Sequence, residues 1–339
     1  MLDLLLDEDE VMITETVRDY LARELPIERL RPKAIASDLA RARAAMFELG
    51  WFRIGLPESV GGAGLGLVEE MLIQRECGRY LVGPWVLATV LGAHVAYQAG
   101  DLALAREVGS GNASVALAIP AAAHANADRV ATCVFDWSEG DALLVCNDEG
   151  VGLFDASTFT EVRLDKCLDD SVGMHAGVLA MREPRYWVTA RQAPLVLQAS
   201  VLFAAALVGL AERACDLAVD YAKVREQFGK PIGSFQAVKH RCADMAVRAR
   251  LAWYQTNLAC LKVHGAAADA VLQSAAAKLL AAQAAHENGR AAIQLHGGIG
   301  FQAECDAHWF MKRAYLYDQA GGSMQQQAQR VVAQPSPLW

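Results

Sequence analysis

From Arg191 onward the chain is rich in Ala and Leu and nearly free of helix breakers, which constrains its fold more than any other sequence feature. Ala and Leu are among the best helix formers, so a stretch of this length reads as long helices packed on one another. The breaks that do occur divide it. Gly229-Lys230-Pro231-Ile232-Gly233 cannot continue a helix, Ser234 is a suitable N-cap for the next one, and Gly297, Gly298 and Gly300 form a loop. Gly265 and Gly289 are weaker interruptions. The pattern predicts helices near 195–227, 235–263, 267–293 and 304–318, a four-helix bundle. The apolar stretch from Ala193 to Leu210 runs into Glu212 and Arg213, which favours a buried core helix over a membrane span.

Two other zones precede the bundle. Residues 1–108 place apolar side chains at helical spacing, in Val11, Ile13, Val17 and Leu21 and again in Ala45, Met46 and Leu49. Pro26 and Pro32 interrupt that pattern, and Gly61, Gly62, Gly64 and Gly66 mark a loop. Over 109–190 the short β-type runs Ser114–Ile119, Arg129–Val134 and Ala142–Cys146 are separated by Gly, Asp and Asn, which predicts a small antiparallel sheet. The expected fold is mostly α with a small middle β domain: an N-terminal helical domain over 1–108, the β domain over 109–190, and the bundle over 191–339.

Composition excludes several functions. The 339 residues carry 31 Lys and Arg against 39 Asp and Glu, a net charge of −8, which disfavours non-specific binding to nucleic acid or an anionic membrane. With 54% hydrophobic residues the chain can bury a large core and is not disordered. Its eight cysteines form no CxxC pair, and none has a His at zinc-finger spacing. They read as free thiols in a reducing compartment, with no metal site. The start, MLDLLLDEDE, is acidic where a leader peptide would be basic, so a soluble cytoplasmic protein is expected.

Neither glycine loop is a dinucleotide fingerprint, because Leu67 and Ala303 stand where a third glycine is needed. His286-Glu287 lacks the second His of a zinc protease, and no Ser sits in a GxSxG elbow. Two other segments are suited to a diphosphate. One runs from Tyr221 to Gln236 and holds Arg225; the other is Gln294-Leu295-His296-Gly297-Gly298-Ile299-Gly300. Arg supplies a forked cation, glycines let a phosphate or ribose reach the backbone, and Gln offers both donor and acceptor. Taken singly, each also has a plain reading, Arg225 as a solvated cation at a helix end and the glycine segment as a helix C-cap.

Together the segments carry a resemblance to the acyl-CoA dehydrogenase family. Glu48-Leu49-Gly50-Trp51 through Leu56-Pro57-Glu58, followed by Gly61-Gly62-Ala63-Gly64-Leu65-Gly66, is similar to that family's N-terminal domain. REQFGKPIGSFQ and QLHGGIG resemble its two C-terminal flavin signatures, in the family's order. The resemblance implies FAD, a CoA thioester substrate and α,β-dehydrogenation, in which a Glu carboxylate removes the α-proton while the β-hydrogen leaves as hydride to the flavin. It also implies that Arg225, Phe228, Gln236, Gln294, Leu295, His296, Gly297 and Gly298 contact the diphosphate and adenosine end of a neighbouring subunit's FAD.

The departures from the family pattern are equally informative. The two positions where the family places its Glu fall on Gly321 and Ala199, so no catalytic residue is assigned. Asp318 is the acid nearest the first position. The family's flavin-ring loop, a Thr-Glu-Pro-x-x-Gly-Ser-Asp-like segment, has no counterpart around Val115–Ala123, and the sheet region after it is short, implying a reduced β domain. The expectation is a non-catalytic subunit of a heteromeric acyl-CoA dehydrogenase of the actinobacterial steroid side-chain type. A homologous catalytic subunit would be its partner in an α2β2 heterotetramer. A self-sufficient homotetramer using Asp318 and a flavin-free scaffold remain as alternatives.

Overall fold

The computed structural model describes residues 4–31, 39–121 and 128–334. Pro32, and Ala122 and Ala123 at the end of the Val115–Ala123 segment, lie outside the described residues.

Helix α1 (Glu8–Glu24) starts on a reciprocal cap, in which the Asp7 carboxylate accepts from the Glu10 N–H and the Glu10 carboxylate accepts from the Asp7 N–H. Its apolar period buries Val17 and Leu21 but leaves Val11 exposed. Helix α2 (Leu39–Glu48) buries Met46, whereas Leu49 lies past its end and is exposed. The glycines at 61–66 do form a loop, which leads into α3 (Leu67–Arg79); α4 (Trp85–Gln98) and α5 (Leu102–Ser110) follow.

Seven strands then form one sheet. They are β1 (Val115–Pro120), β2 (Arg129–Phe135), β3 (Ala142–Cys146), β4 (Gly150–Phe154), β5 (Phe159–Asp165), β6 (Met174–Ala180) and β7 (Tyr186–Thr189), in the order β5-β6-β2-β1-β3-β4-β7. The sheet is not wholly antiparallel as expected, because β1 and β3 run parallel with Val115 opposite Ala142. Strand β2 returns antiparallel to the starting end of β1, and the short link after it places β3 on β1's other side at that same end. Alternation along the strands separates two faces. Leu117, Leu144 and Leu153 point into the main core, while Ala118, Leu143 and Phe154 pack in a second, smaller cluster.

The bundle consists of α6 (Leu195–Val224), α7 (Gln236–His264), α8 (Ala270–His296) and α9 (Ala307–Gln319), followed by α10 (Met324–Ala333). Helix α6 is long and apolar enough to cross a membrane, but 83% of its apolar window is buried inside the protein, as a core helix requires. It packs on α3 at backbone distance. A Cβ on Gly78 would lie 2.1 Å from the Ala206 carbonyl oxygen, and one on Gly209 would lie 2.0 Å from that of Arg75. Only glycine permits so close a crossing.

Three local expectations are corrected. Helix α6 stops at Val224, and its expected last turn instead pairs as β8 (Glu226–Gln227) with β9 (Lys230–Pro231). Ser234 is not the N-cap of α7; it closes a 3-10 turn, and the extended residue before the helix is Phe235. Gly289 does not interrupt α8, because it fits against Met311 of α9, whose Cα lies 2.9 Å from where a Cβ would stand. Helix α10 went unread, although Ser323 and Gln326 form a reciprocal cap at its start, a legible signal.

Candidate cofactor and substrate sites

The two signature segments meet at one end of the bundle. Helices α6 and α8 both end there and α7 begins there, and the Tyr221 ring stacks on His296 with centroids 4.3 Å apart. The chain leaves α6 at Arg225, whose carbonyl accepts from the Ile232 N–H at 2.7 Å and so folds the β8–β9 hairpin back on the helix end. Phe228 and Gly229 make the tight turn, both at positive φ, which matches the twist of a two-residue hairpin. Phe228 is 92% exposed. Gln236 opens α7 on the exposed surface.

The glycine segment begins later than expected. Gln294, Leu295 and His296 form the last turn of α8 rather than a loop, because the helix continues until Gly297 takes a positive φ. His296 Nδ1 lies 2.7 Å from the Ala292 carbonyl oxygen, which fixes the ring under Tyr221. Nothing stands within 4 Å of where a Cβ would be on Gly297 or Gly298, so backbone there is open to a ligand. The Arg225 guanidinium is exposed and has no carboxylate partner among the described residues. A free forked cation beside open glycine backbone fits the diphosphate and adenosine half of FAD.

A separate cavity of about 870 Å³ lies between the sheet and α9. None of the signature residues lines it. Gly321 does, at the turn following α9, with φ +65°. A Cβ there would stand 3.2 Å from the Phe203 ring, a tight contact, and 3.6 Å from Cys146 Sγ, an ordinary one, while the glycine itself faces the cavity. Ala199 is fully buried in α6 and does not reach the cavity. Asp318 does not line it either. Its carboxylate accepts from the Met324 N–H at 2.8 Å and faces His286 across 3.9 Å. Burial works against its ionised form, but His286, that N–H and the Lys278 charge together hold it below the usual carboxylate range.

Residues 7–115 match the N-terminal domain of acyl-CoA dehydrogenases, and residues 197–334 match the C-terminal domain. The acyl-CoA dehydrogenase IpdE2 of Mycobacterium tuberculosis is 31% identical across 91% of this chain and 91% of its own length. The chain belongs to the acyl-CoA dehydrogenase family. FadE34 of the same organism is 34% identical over 80% of this chain, which spans only 39% of that longer relative. The structure of the ChsE4-ChsE5 complex, also from Mycobacterium tuberculosis, superposes with a TM-score of 0.78 at 22% identity, covering 99% of this chain and 100% of that one. The shared fold is that of acyl-CoA dehydrogenases, with helical N-terminal, middle β and helical C-terminal parts.

Two buried cations organise this member of the family around its cavity, and the sequence reading missed both. Lys278 of α8 is 1% exposed and donates to the carbonyl oxygens of Asp318, Ala320 and Gly322, which caps α9 and fixes the Gly321 turn. Burial pushes its amine down to about 8. Arg313 of α9, also 1% exposed, pairs with Asp169 of the β5–β6 loop and donates to Ser171 Oγ and to the Val82 carbonyl between α3 and α4. For Lys278 a lone cation amid alanines and leucines was the signal, whereas Arg313, next to Lys312, is not marked out in this way. Asp169 also borders the cavity, but its carboxylate is held by Arg313 and is not a free base. The Cys146 thiol beside Gly321 is pushed up to about 11 by burial, so it is not a thiolate near neutrality.

Proposed function

We propose that this chain is the non-catalytic subunit of a heteromeric acyl-CoA dehydrogenase, pairing with a homologous catalytic subunit in an α2β2 assembly. One observation carries the reading. Where the family places a base, Gly321 offers no side chain and holds φ +65°, and the nearest acid, Asp318, does not line the cavity. Bound FAD would supply the hydride acceptor for oxidation of a CoA thioester, for which a steroid side-chain thioester is our candidate.

This chain's own part is binding. The Arg225 guanidinium neutralises a diphosphate from the exposed bundle end, and the open backbone at Gly297 and Gly298 lets that group approach. Gln236 and Gln294 offer amide donors and acceptors to the adenosine. The Tyr221–His296 stack holds the two segments in register, and the exposed Phe228 ring on the hairpin is placed to reach a second subunit. Proton abstraction falls to a carboxylate of the partner, because Asp318 is engaged away from the cavity.

The test is co-expression with a homologous chain that carries the Glu, followed by measurement of mass, flavin content and turnover. One FAD per heterodimer is expected, with turnover abolished by removing the partner's Glu and left near parental by Asp318→Asn. Full flavin occupancy and turnover in the isolated chain would refute the assignment.

A further inference from the structure

The cavity between the sheet and α9 is walled mainly by carbon. Ile119, Val130, Val178 and Met181 stand on the sheet side, with Leu316 and the Tyr315 ring opposite. Its rim holds two cations, and both are engaged: Arg163 pairs with Asp165 and Lys312 with Asp170. Three rim carboxylates are likewise held from behind, Glu161 by Arg129, Asp169 by Arg313 and Asp148 by Arg330. Glu149 is left without a cationic partner among the described residues. Among the described residues, five carboxylates and two cations line the cavity, so an arriving phosphate or carboxylate would share each cation with the acid already on it and face the uncompensated charge of Glu149.

The polar side chains on the walls are partly committed too. The Thr132 hydroxyl donates to the Val130 carbonyl, and the Asn147 side-chain oxygen accepts from the Glu149 and Gly150 N–H groups. Gln326 Oε1 accepts from the Ser323 N–H. That leaves the side-chain amide N–H groups of Asn147 and Gln326 without an acceptor among the described residues, both at the end formed by the β3–β4 turn and the start of α10.

The geometry points to a binding site for a neutral lipid, its apolar body against the sheet and one carbonyl or hydroxyl oxygen accepting from Asn147 and Gln326. About 870 Å³ is within the range that encloses a fused-ring or medium-chain molecule of that kind. The site is turnover-silent, and it selects against CoA thioesters and FAD, whose phosphates the rim rejects. This inference rests on the reading of the chain as a non-catalytic subunit, because a self-sufficient dehydrogenase would need the same cavity, beside Gly321, for its own flavin and thioester.

Equilibrium dialysis of the purified full chain tests it, with four probes: progesterone and 2-tridecanone as neutral ketones of ring and chain shape, cholate as an anionic counterpart, and FAD. Binding of FAD in the cavity is read by displacement of bound ketone, because the Arg225 end of the bundle is itself proposed to hold FAD. Saturable one-to-one binding of either ketone is expected, with cholate and FAD weaker by about tenfold or more. The better ketone identifies the body shape. Gln326→Glu keeps the oxygen that caps Ser323 but removes the donor and adds charge, and should weaken ketone binding by about tenfold. Filling the site from the exposed rim with Ala121→Trp, or from the floor with Ala176→Phe, should abolish it, so that misfolding of one variant leaves the other decisive. Bound ketone should also slow alkylation of Cys133 on the wall. Failure of both ketones to bind, equal binding of cholate or FAD, or full affinity in a folded filling variant would overturn the proposal.

Discussion

The Phe203 ring lies 3.2 Å from the point where a Cβ on Gly321 would stand, so the core side of this turn crowds the first carbon of any side chain placed there. Gly321 also has φ +65°, which a side-chain-bearing residue adopts only under strain of about 1–2 kcal/mol. Gly321→Glu should therefore give no dehydrogenation by the isolated chain and lower its Tm by several degrees, as read by calorimetry. Adding Phe203→Ala should not recover the parental Tm, since it opens a void in place of a tight contact and leaves the φ strain untouched. Measurable turnover from the single variant would show that one side chain is all the site lacks.

Arg225→Ala should leave the melting curve unchanged, because the guanidinium is exposed and unpaired, yet weaken flavin retention by the assembled complex. A charge-assisted contact to a diphosphate contributes about 1.5–3 kcal/mol, so flavin affinity should fall by about tenfold or more. Arg225→Lys should lie between the two. Flavin retained by the alanine variant as by the parent would make Arg225 a plain surface cation.

His94 Nε2 lies 2.7 Å from Glu70 Oε1 in the core between α3 and α4. Burial opposes the charged imidazole, but the Glu70 carboxylate outweighs it and the His94 pKa is raised. The folded state then binds a proton more tightly than the unfolded chain. Its contribution is fully present below the unfolded value of about 6.5 and is lost as pH rises through the higher folded value. The stability gap between parent and His94→Gln should be larger at acidic pH than at mildly alkaline pH in urea titrations. A gap independent of pH would remove the pair from the stability of this domain.

Lys278 behaves in the opposite sense. Its amine is depressed from 10.5 to about 8, so between those values the unfolded chain holds the proton that the folded one has released. Stability must rise with pH across that window relative to a variant without the amine. Lys278→Met should uncap three carbonyl oxygens and lose about 1–3 kcal/mol at neutral pH. Its deficit should widen as pH climbs from about 8 towards 10. A deficit that narrows there would contradict the buried, depressed amine.

Much of the bundle was legible because Ala- and Leu-rich helices announce themselves by composition, and because Gly229 to Gly233 and Gly297 to Gly300 break them without ambiguity. Boundaries slipped where tertiary packing overrode a local residue. Gly289 reads as a breaker and is instead a seat for Met311. The parallel β1–β3 pair could not be read at all, since strand order depends on which side of β1 the chain passes after β2. Gly321 was reached by family spacing, but Phe203 and Cys146 beside it come from segments far away in sequence and leave no local trace. Lys278 and Arg313 went unread because periodicity weighs them as exceptions rather than as anchors.

Arg313 joins a carboxylate of the sheet to a carbonyl of the N-terminal helices from a helix of the bundle, in a place water does not reach. A chain wired in this way cannot be traded piecemeal with its relatives. Grafting a homologue's sheet into it without an acid at position 169 would strand a buried guanidinium, a loss of several kcal/mol that no surface adjustment offsets. The three parts are thereby bound to diverge together, and Asp169, held by Arg313, sets the terms on which the sheet is free to drift.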